Sequence, residues 1–122
     1  MANKIEVGKH DKKACMKAML PVADAVEILR GKWKLPIIAS LFFGTKRFSE
    51  IAGDIPQITD RMLSKELRDL ETNDLVLRTI HNTFPVTVEY SLTEHGESLR
   101  GLIDELRLWG TTHRKHIIAK KD

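Results

Sequence analysis

The segment from Ile55 to Asn73 constrains this chain most. Pro56 stops whatever precedes it, and Thr59 offers a side-chain oxygen that can cap a helix. Leu63, Leu67 and Leu70 then fall at i, i+4 and i+7. That spacing buries one side of a helix over 59–73. Arg61, Ser64, Lys65 and Arg68, at i, i+3, i+4 and i+7, share the opposite side. A short helix is expected just upstream, from about Ser49 to Asp54, with Ser49 as its cap and Ile51 and Ala52 facing inward. A short helix, a tight turn over Ile55–Ile58 and a longer amphipathic helix make a helix-turn-helix pattern.

The flanking segments extend that pattern in a consistent order. Val22, Ala25, Val26 and Leu29 stripe a helix over about Pro21–Arg30, with Pro21 in its first turn and Gly31 as its stop. A second helix covers about Lys34–Phe43, with Leu35, Ile38, Leu41 and Phe42 inward and Gly44 at its end, and Thr45–Phe48 reads as a link. After the central helix, Val76–His81 reads as a strand. Val86, Val88, Tyr90 and Leu92 alternate with polar residues as a second strand, and Asn82–Pro85 forms the turn between them. Thr93 caps a long helix from about Glu94 to Ile118. The order predicts a mainly α chain with a small β-hairpin (α+β), a winged helix-turn-helix followed by a long C-terminal helix. Residues 1–15 read as an N-terminal arm and residues 16–122 as one domain.

Composition narrows the function. At 122 residues with 42% hydrophobic and 30% charged content, the chain has the size and balance of one ordinary globular domain. Its longest apolar run, Leu35–Phe43, is nine residues, too short for a membrane span, and the first residues lack a signal-peptide core. A single cysteine, Cys15, fits a reducing cytoplasm. No Gly-rich phosphate loop, HExxH, CxxC or nucleophile elbow is present, so no catalytic residue, metal ligand or cofactor is assigned. His113 and His116 have helical ligand spacing, but no acid or cysteine partner lies close in sequence. Net charge is only +3, yet residues 28–49 contain no acid and five bases: Arg30, Lys32, Lys34, Lys46 and Arg47.

These features point to double-stranded DNA. A helix fits the major groove, where arginine pairs bidentately with guanine. The expected groove-facing residues are Thr59, Arg61, Ser64, Lys65 and Arg68, with Arg61 nearest the base edges. Lys32, Lys34, Lys46 and Arg47 are expected on phosphates, and Arg78 and His81 are the nearest cations of the hairpin. Leu99, Leu102, Ile103, Leu106, Trp109, His113 and Ile117 form a line longer than one small core can cover, and this predicts a homodimer, with the N-terminal segment assisting. Trp33 and Trp109 read as core or dimer anchors before ligand-cavity walls. Asp60, Glu66, Asp69 and Glu71 give the central helix more negative than positive charge. They support the alternative of a winged-helix module that docks on protein without sequence-specific DNA binding; a small enzyme is a third reading.

Four segments also carry a family resemblance. Residues Gly31–Ile38, GKWKLPII, resemble the GKWKxxI segment of the HxlR family of bacterial winged-helix regulators, a MarR-like group. Lys46–Ile51, KRFSEI, resembles its KRFxEL segment. Ile58–Glu71 resembles its ISxxMLxxxLRxLE recognition helix, and Val88–Gly96 its VEYSLTxxG segment. The resemblance implies a dimeric DNA-binding regulator with its recognition helix in the major groove and its wing at the minor groove, answering an unidentified small-molecule or redox signal. Two departures stand out. Many relatives carry a sensing cysteine just before the proline of the first helix, where this chain has Leu20. Relatives also often carry a basic residue where this wing has Thr87, and Asn82–Val86 contains no lysine or arginine.

Overall fold

The computed structural model describes residues 11–121. The chain divides into two compact units, residues 1–31 and 32–122. In the first, helix α1 runs from Lys12 to Leu29, and the Asp11 carboxylate caps it by accepting from the amides of Lys13 (3.0 Å) and Ala14 (3.4 Å). The expected start at Pro21 is therefore corrected: Pro21 lies inside the helix, and the arm boundary at residue 15 falls within it. The run Lys12–Leu20 is rich in alanine, lysine, methionine and leucine, all strong helix formers, which carries the helix upstream of the proline. Residues 1–10 of the expected arm lie outside the described residues. No residue of α1 is buried, and Gly31 (φ +98°) follows its end in the left-handed conformation that glycine adopts without strain.

The second unit contains α2 (Lys34–Leu41), β1 (Lys46–Arg47), α3 (Phe48–Asp54), α4 (Asp60–Thr72), β2 (Val76–His81), β3 (Thr87–Leu92), α5 (Glu94–Glu97) and α6 (Arg100–Lys120). Its core is built where the apolar spacings of three helices meet. Ile37, Ile38 and Leu41 of α2, Ile51 of α3, and Leu63, Leu67 and Leu70 of α4 are all essentially inaccessible, and Leu75 and Val76 close the group. Each such side chain contributes about 1.5–3 kcal/mol through burial. Turning the chain from α3 into α4 requires Gln57 at φ +71°, and Asp74 at φ +58° turns it from α4 into β2. Aspartate tolerates this left-handed region better than most residues.

The hairpin pairs as expected, with Arg78 opposite Tyr90 and Ile80 opposite Val88. A third strand joins it: β1 pairs antiparallel with β3, Lys46 opposite Tyr90, giving the order β1-β3-β2. The segment read as a link is thus a sheet edge. Ser49 is not the cap of α3; Arg47 occupies the N-cap position, and the Glu50 carboxylate accepts from its amide at 2.9 Å. Helix α2 ends at Leu41, and Phe43, expected within it, is 88% exposed. The single C-terminal helix is also corrected. Thr93 caps as expected, accepting from the Gly96 amide at 2.9 Å, but the helix breaks at Ser98–Leu99 into α5 and α6. The Thr93 hydroxyl also donates to the Asp74 carbonyl at 2.6 Å, which ties α5 to the turn below α4.

Candidate nucleic-acid interface

Helix α4 begins where Thr59 Oγ1 accepts from the Met62 amide at 3.1 Å. Its burial alternates as the leucine spacing requires. Arg61, Lys65 and Arg68 are exposed, while Ser64 is half-buried at the margin of the face. None of the three cations makes an ion pair among the described residues.

The acids of the same helix are disposed differently. Lys34 Nζ donates to Glu66 Oε2 at 2.8 Å and to Asp69 Oδ2 at 3.4 Å. The Lys34 and Glu66 side chains are only 11% and 12% exposed. Burial opposes the Lys34 charge, but the hydrogen bonds and charges of Glu66 and Asp69 prevail and hold its pKa above the ordinary lysine value. Two of the four α4 acids therefore serve a packed ion pair between α2 and α4. This corrects the expectation for Lys34: its ammonium is buried and engaged rather than presented to a phosphate.

Lys46 is engaged too. Its ammonium donates to Asp54 Oδ2 and, at 3.1 Å, to Ser40 Oγ, whose hydroxyl donates to Asp54 Oδ2 at 2.7 Å. Hydrogen bonds from Lys46 first, and then Ser40, hold the Asp54 carboxyl below its usual range. Lys32 and Arg47 remain exposed; the Lys32 ammonium lies 4.7 Å from the centre of the Trp33 ring. Arg78 is exposed on β2, and His81 Nε2 lies 3.3 Å from Glu89 Oε2. The four cations expected on phosphates thus split into two tied to the body, Lys34 and Lys46, and two left outside, Lys32 and Arg47. Sequence spacing alone could not separate them, because Lys34 and Glu66 are 32 residues apart.

Helix α6 has no buried residue. Leu99 and Ile103 are half-buried, whereas Leu102 (41%), Leu106 (46%), Trp109 (66%) and Ile117 (39%) are exposed. Trp109 stacks on His113, with ring centres 4.9 Å apart. Leu108 and Ile118, absent from the expected line, are exposed as well. At the base of α6, the Arg100 guanidinium donates to the Phe42 carbonyl at 3.3 Å and lies 4.4 Å from the Phe42 ring centre. Trp33 is half-buried and lines a groove of about 690 Å³ with Pro36, Phe43, Ile55 and Pro56. Among the described residues no three metal-ligating side chains cluster, and no helix is long and apolar enough to cross a membrane.

A family model described as HxlR-like helix-turn-helix matches residues 28–118. The chain belongs to the HxlR-like family. Similar proteins include the HTH-type transcriptional regulator YtcD of Bacillus subtilis, 42% identical over 94 residues, which are 77% of this chain and 75% of YtcD. Among solved structures, the redox regulator HypR in its reduced form superposes with a TM-score of 0.76 at 36% identity, covering 81% of this chain and 98% of HypR. The reduced form of the transcriptional regulator YodB from B. subtilis gives 0.69 at 38% identity, covering 74% and 88%. As an HxlR-like protein this chain is a winged helix-turn-helix DNA-binding regulator of transcription, not an enzyme.

Proposed function

We propose that the chain binds its operator in the cytoplasm as a homodimer, with α4 in the major groove and the β2–β3 hairpin at the flanking groove. Arg61, near the N-terminus of α4, meets the base edges. Lys65 and Arg68 follow the groove, Thr59 and Ser64 flank it, and Lys32, Arg47 and Arg78 meet phosphates. The observation that carries this reading is the division of charge on α4. Glu66 and Asp69 turn to Lys34, so a helix with more acids than bases still offers an outer face of Arg61, Lys65 and Arg68. The same division takes two of the four acids that favoured a protein-docking module, Glu66 and Asp69, out of the exposed face and leaves Asp60 and Glu71 on it.

Fragments enriched from a random DNA library by the full chain provide the test. Retarded migration that weakens steeply with salt is expected, and Arg47→Ala should flatten the dependence of log affinity on log salt by about one unit. Failure to enrich any sequence would overturn the proposal. HypR is named a redox regulator; in this chain Leu20 stands before Pro21, and Cys15 lies exposed on α1. We propose that DNA release does not depend on Cys15.

A further inference from the structure

The wing ends in apolar side chains that are left exposed among the described residues. Phe84 at its tip is 104% exposed, Val86 62% and Ile80 52%. Ile80 pairs with Val88 on one side of the hairpin, and exposed Val86 and Phe84 lie in the turn just before β3, so apolar side chains continue from that side to the tip. The cations are elsewhere. Asn82–Val86 has neither lysine nor arginine, whereas exposed Arg78 lies on that same face, opposite Tyr90, nearer the body of the unit. The hairpin is therefore graded from a cationic base to an uncharged apolar tip.

We infer that the Phe84 tip of the wing inserts as an apolar wedge into the minor groove of the operator, partly unstacking one base step. The inference rests on the DNA-binding reading above and adds what the wing does there. A tip without lysine or arginine releases no counterions from phosphates, and Phe84, Pro85 and Val86 have no side-chain donor to offer them. A groove offers two chemistries at two depths, phosphates at its rim and stacked bases at its floor. His81 lies three positions beyond Arg78 along β2, a span of about 10 Å, while the minor groove is about 7.5 Å deep. With Arg78 at the rim, the tip is long enough to reach the floor of a minor groove that opens around it, since the undeformed groove is only about 6 Å wide. Phenylalanine and proline are among the side chains that unstack base steps and bend the duplex when they enter this groove. The tip is also shaped to be presented: Thr83 Oγ1 donates to the Pro85 carbonyl at 2.8 Å, closing the turn beneath Phe84.

The test uses the full chain and a library-selected duplex carrying 2-aminopurine at successive positions beside each half-site. Binding of wild type should raise the fluorescence of one position in each flank, as that base loses its stacking neighbour. Phe84→Ala should abolish the rise and weaken binding about ten- to a hundred-fold, the loss expected for one buried phenylalanine side chain, with the salt slope unchanged. Phe84→Leu should keep most of both. Phe84 touches no core, so unchanged circular dichroism is expected for each variant. Undiminished binding and fluorescence in Phe84→Ala would overturn the wedge while leaving DNA recognition by α4 intact, and would point to a protein surface as the tip's target. A flattened salt slope in Phe84→Ala would equally overturn it, because the tip would then be serving phosphate contact. Wild type that retards no duplex would sink the DNA-binding reading itself.

Discussion

Lys34 shows how one side chain decides what a helix presents. It sits 9% exposed beneath α4 and takes up Glu66 and Asp69, so its removal would leave a nearly buried carboxylate without its cation. Lys34→Met should lower unfolding free energy by about 3–5 kcal/mol, read from urea denaturation, and leave the salt slope of DNA binding unchanged. Adding Glu66→Leu should restore much of the loss, because a well-packed apolar pair replaces the ion pair. A stable Lys34→Met protein with a flattened slope would mean that Lys34 works on DNA instead. The pKa shift sets a pH window. Because the folded-state pKa of Lys34 is raised, its contribution is complete below the unfolded lysine value of about 10.4 and fades as pH climbs through the folded one. Wild type should lose this increment in alkaline melts and Lys34→Met should not. Asp54 has the opposite sign: its pKa is lowered, so its contribution is present above about pH 3.9 and disappears as pH falls through the folded value. On α1, Cys15→Ser and wild type should respond alike to diamide in DNA binding; loss of binding by wild type alone would make Cys15 a displaced sensor.

The helices and strands differ in how far their own residues announce them. Helix α4 is legible because its cap, leucine spacing and stop are all local, and the hairpin is legible because alternation is local too. Strand β1 is not: two residues, Lys46 and Arg47, become a strand only because β3, more than 40 positions later, offers them a ladder. At the start of helix α1, Pro21 suits a first turn, yet the good helix formers upstream and the Asp11 cap outweigh that signal. Within the candidate interface, the exposed row Arg61, Lys65 and Arg68 follows from spacing. The loss of Lys34 to the interior does not, since only tertiary packing brings Glu66 to it. The break between α5 and α6 belongs with these tertiary effects. Gly96 is buried, and a Cβ there would lie 2.2 Å from the Leu75 carbonyl oxygen, a backbone atom that cannot swing aside. The glycine thus lets α5 press onto the start of β2. Gly96→Ala should cost at least about 2 kcal/mol by overpacking, seen as a lower urea midpoint; a midpoint equal to wild type would show that the contact relaxes freely.

The second unit folds around its own core and still leaves Leu102, Leu106, Trp109 and Ile117 exposed along α6, about 30 Å long. We propose that a second copy covers it. Leu106→Glu with Trp109→Glu should then sediment as a smaller species, keep most of its helicity and lose operator affinity. Unfolding of the variant, or a wild type that sediments as a monomer at micromolar concentration yet binds DNA normally, would contradict a dimer held by α6. Two-fold symmetry places two copies of α4 about one DNA turn apart, which makes the operator a pair of related half-sites. Recognition by α4 and dimerisation through α6 therefore meet in a single observable, the affinity for a selected operator with every base pair substituted in turn, measured with wild type and Arg61→Ala. For wild type, two symmetry-related positions should each cost about 1–3 kcal/mol when changed, and in Arg61→Ala both should become indifferent while the remaining profile persists. A profile that Arg61→Ala leaves unaltered would show that the outer face of α4 does not read the sequence.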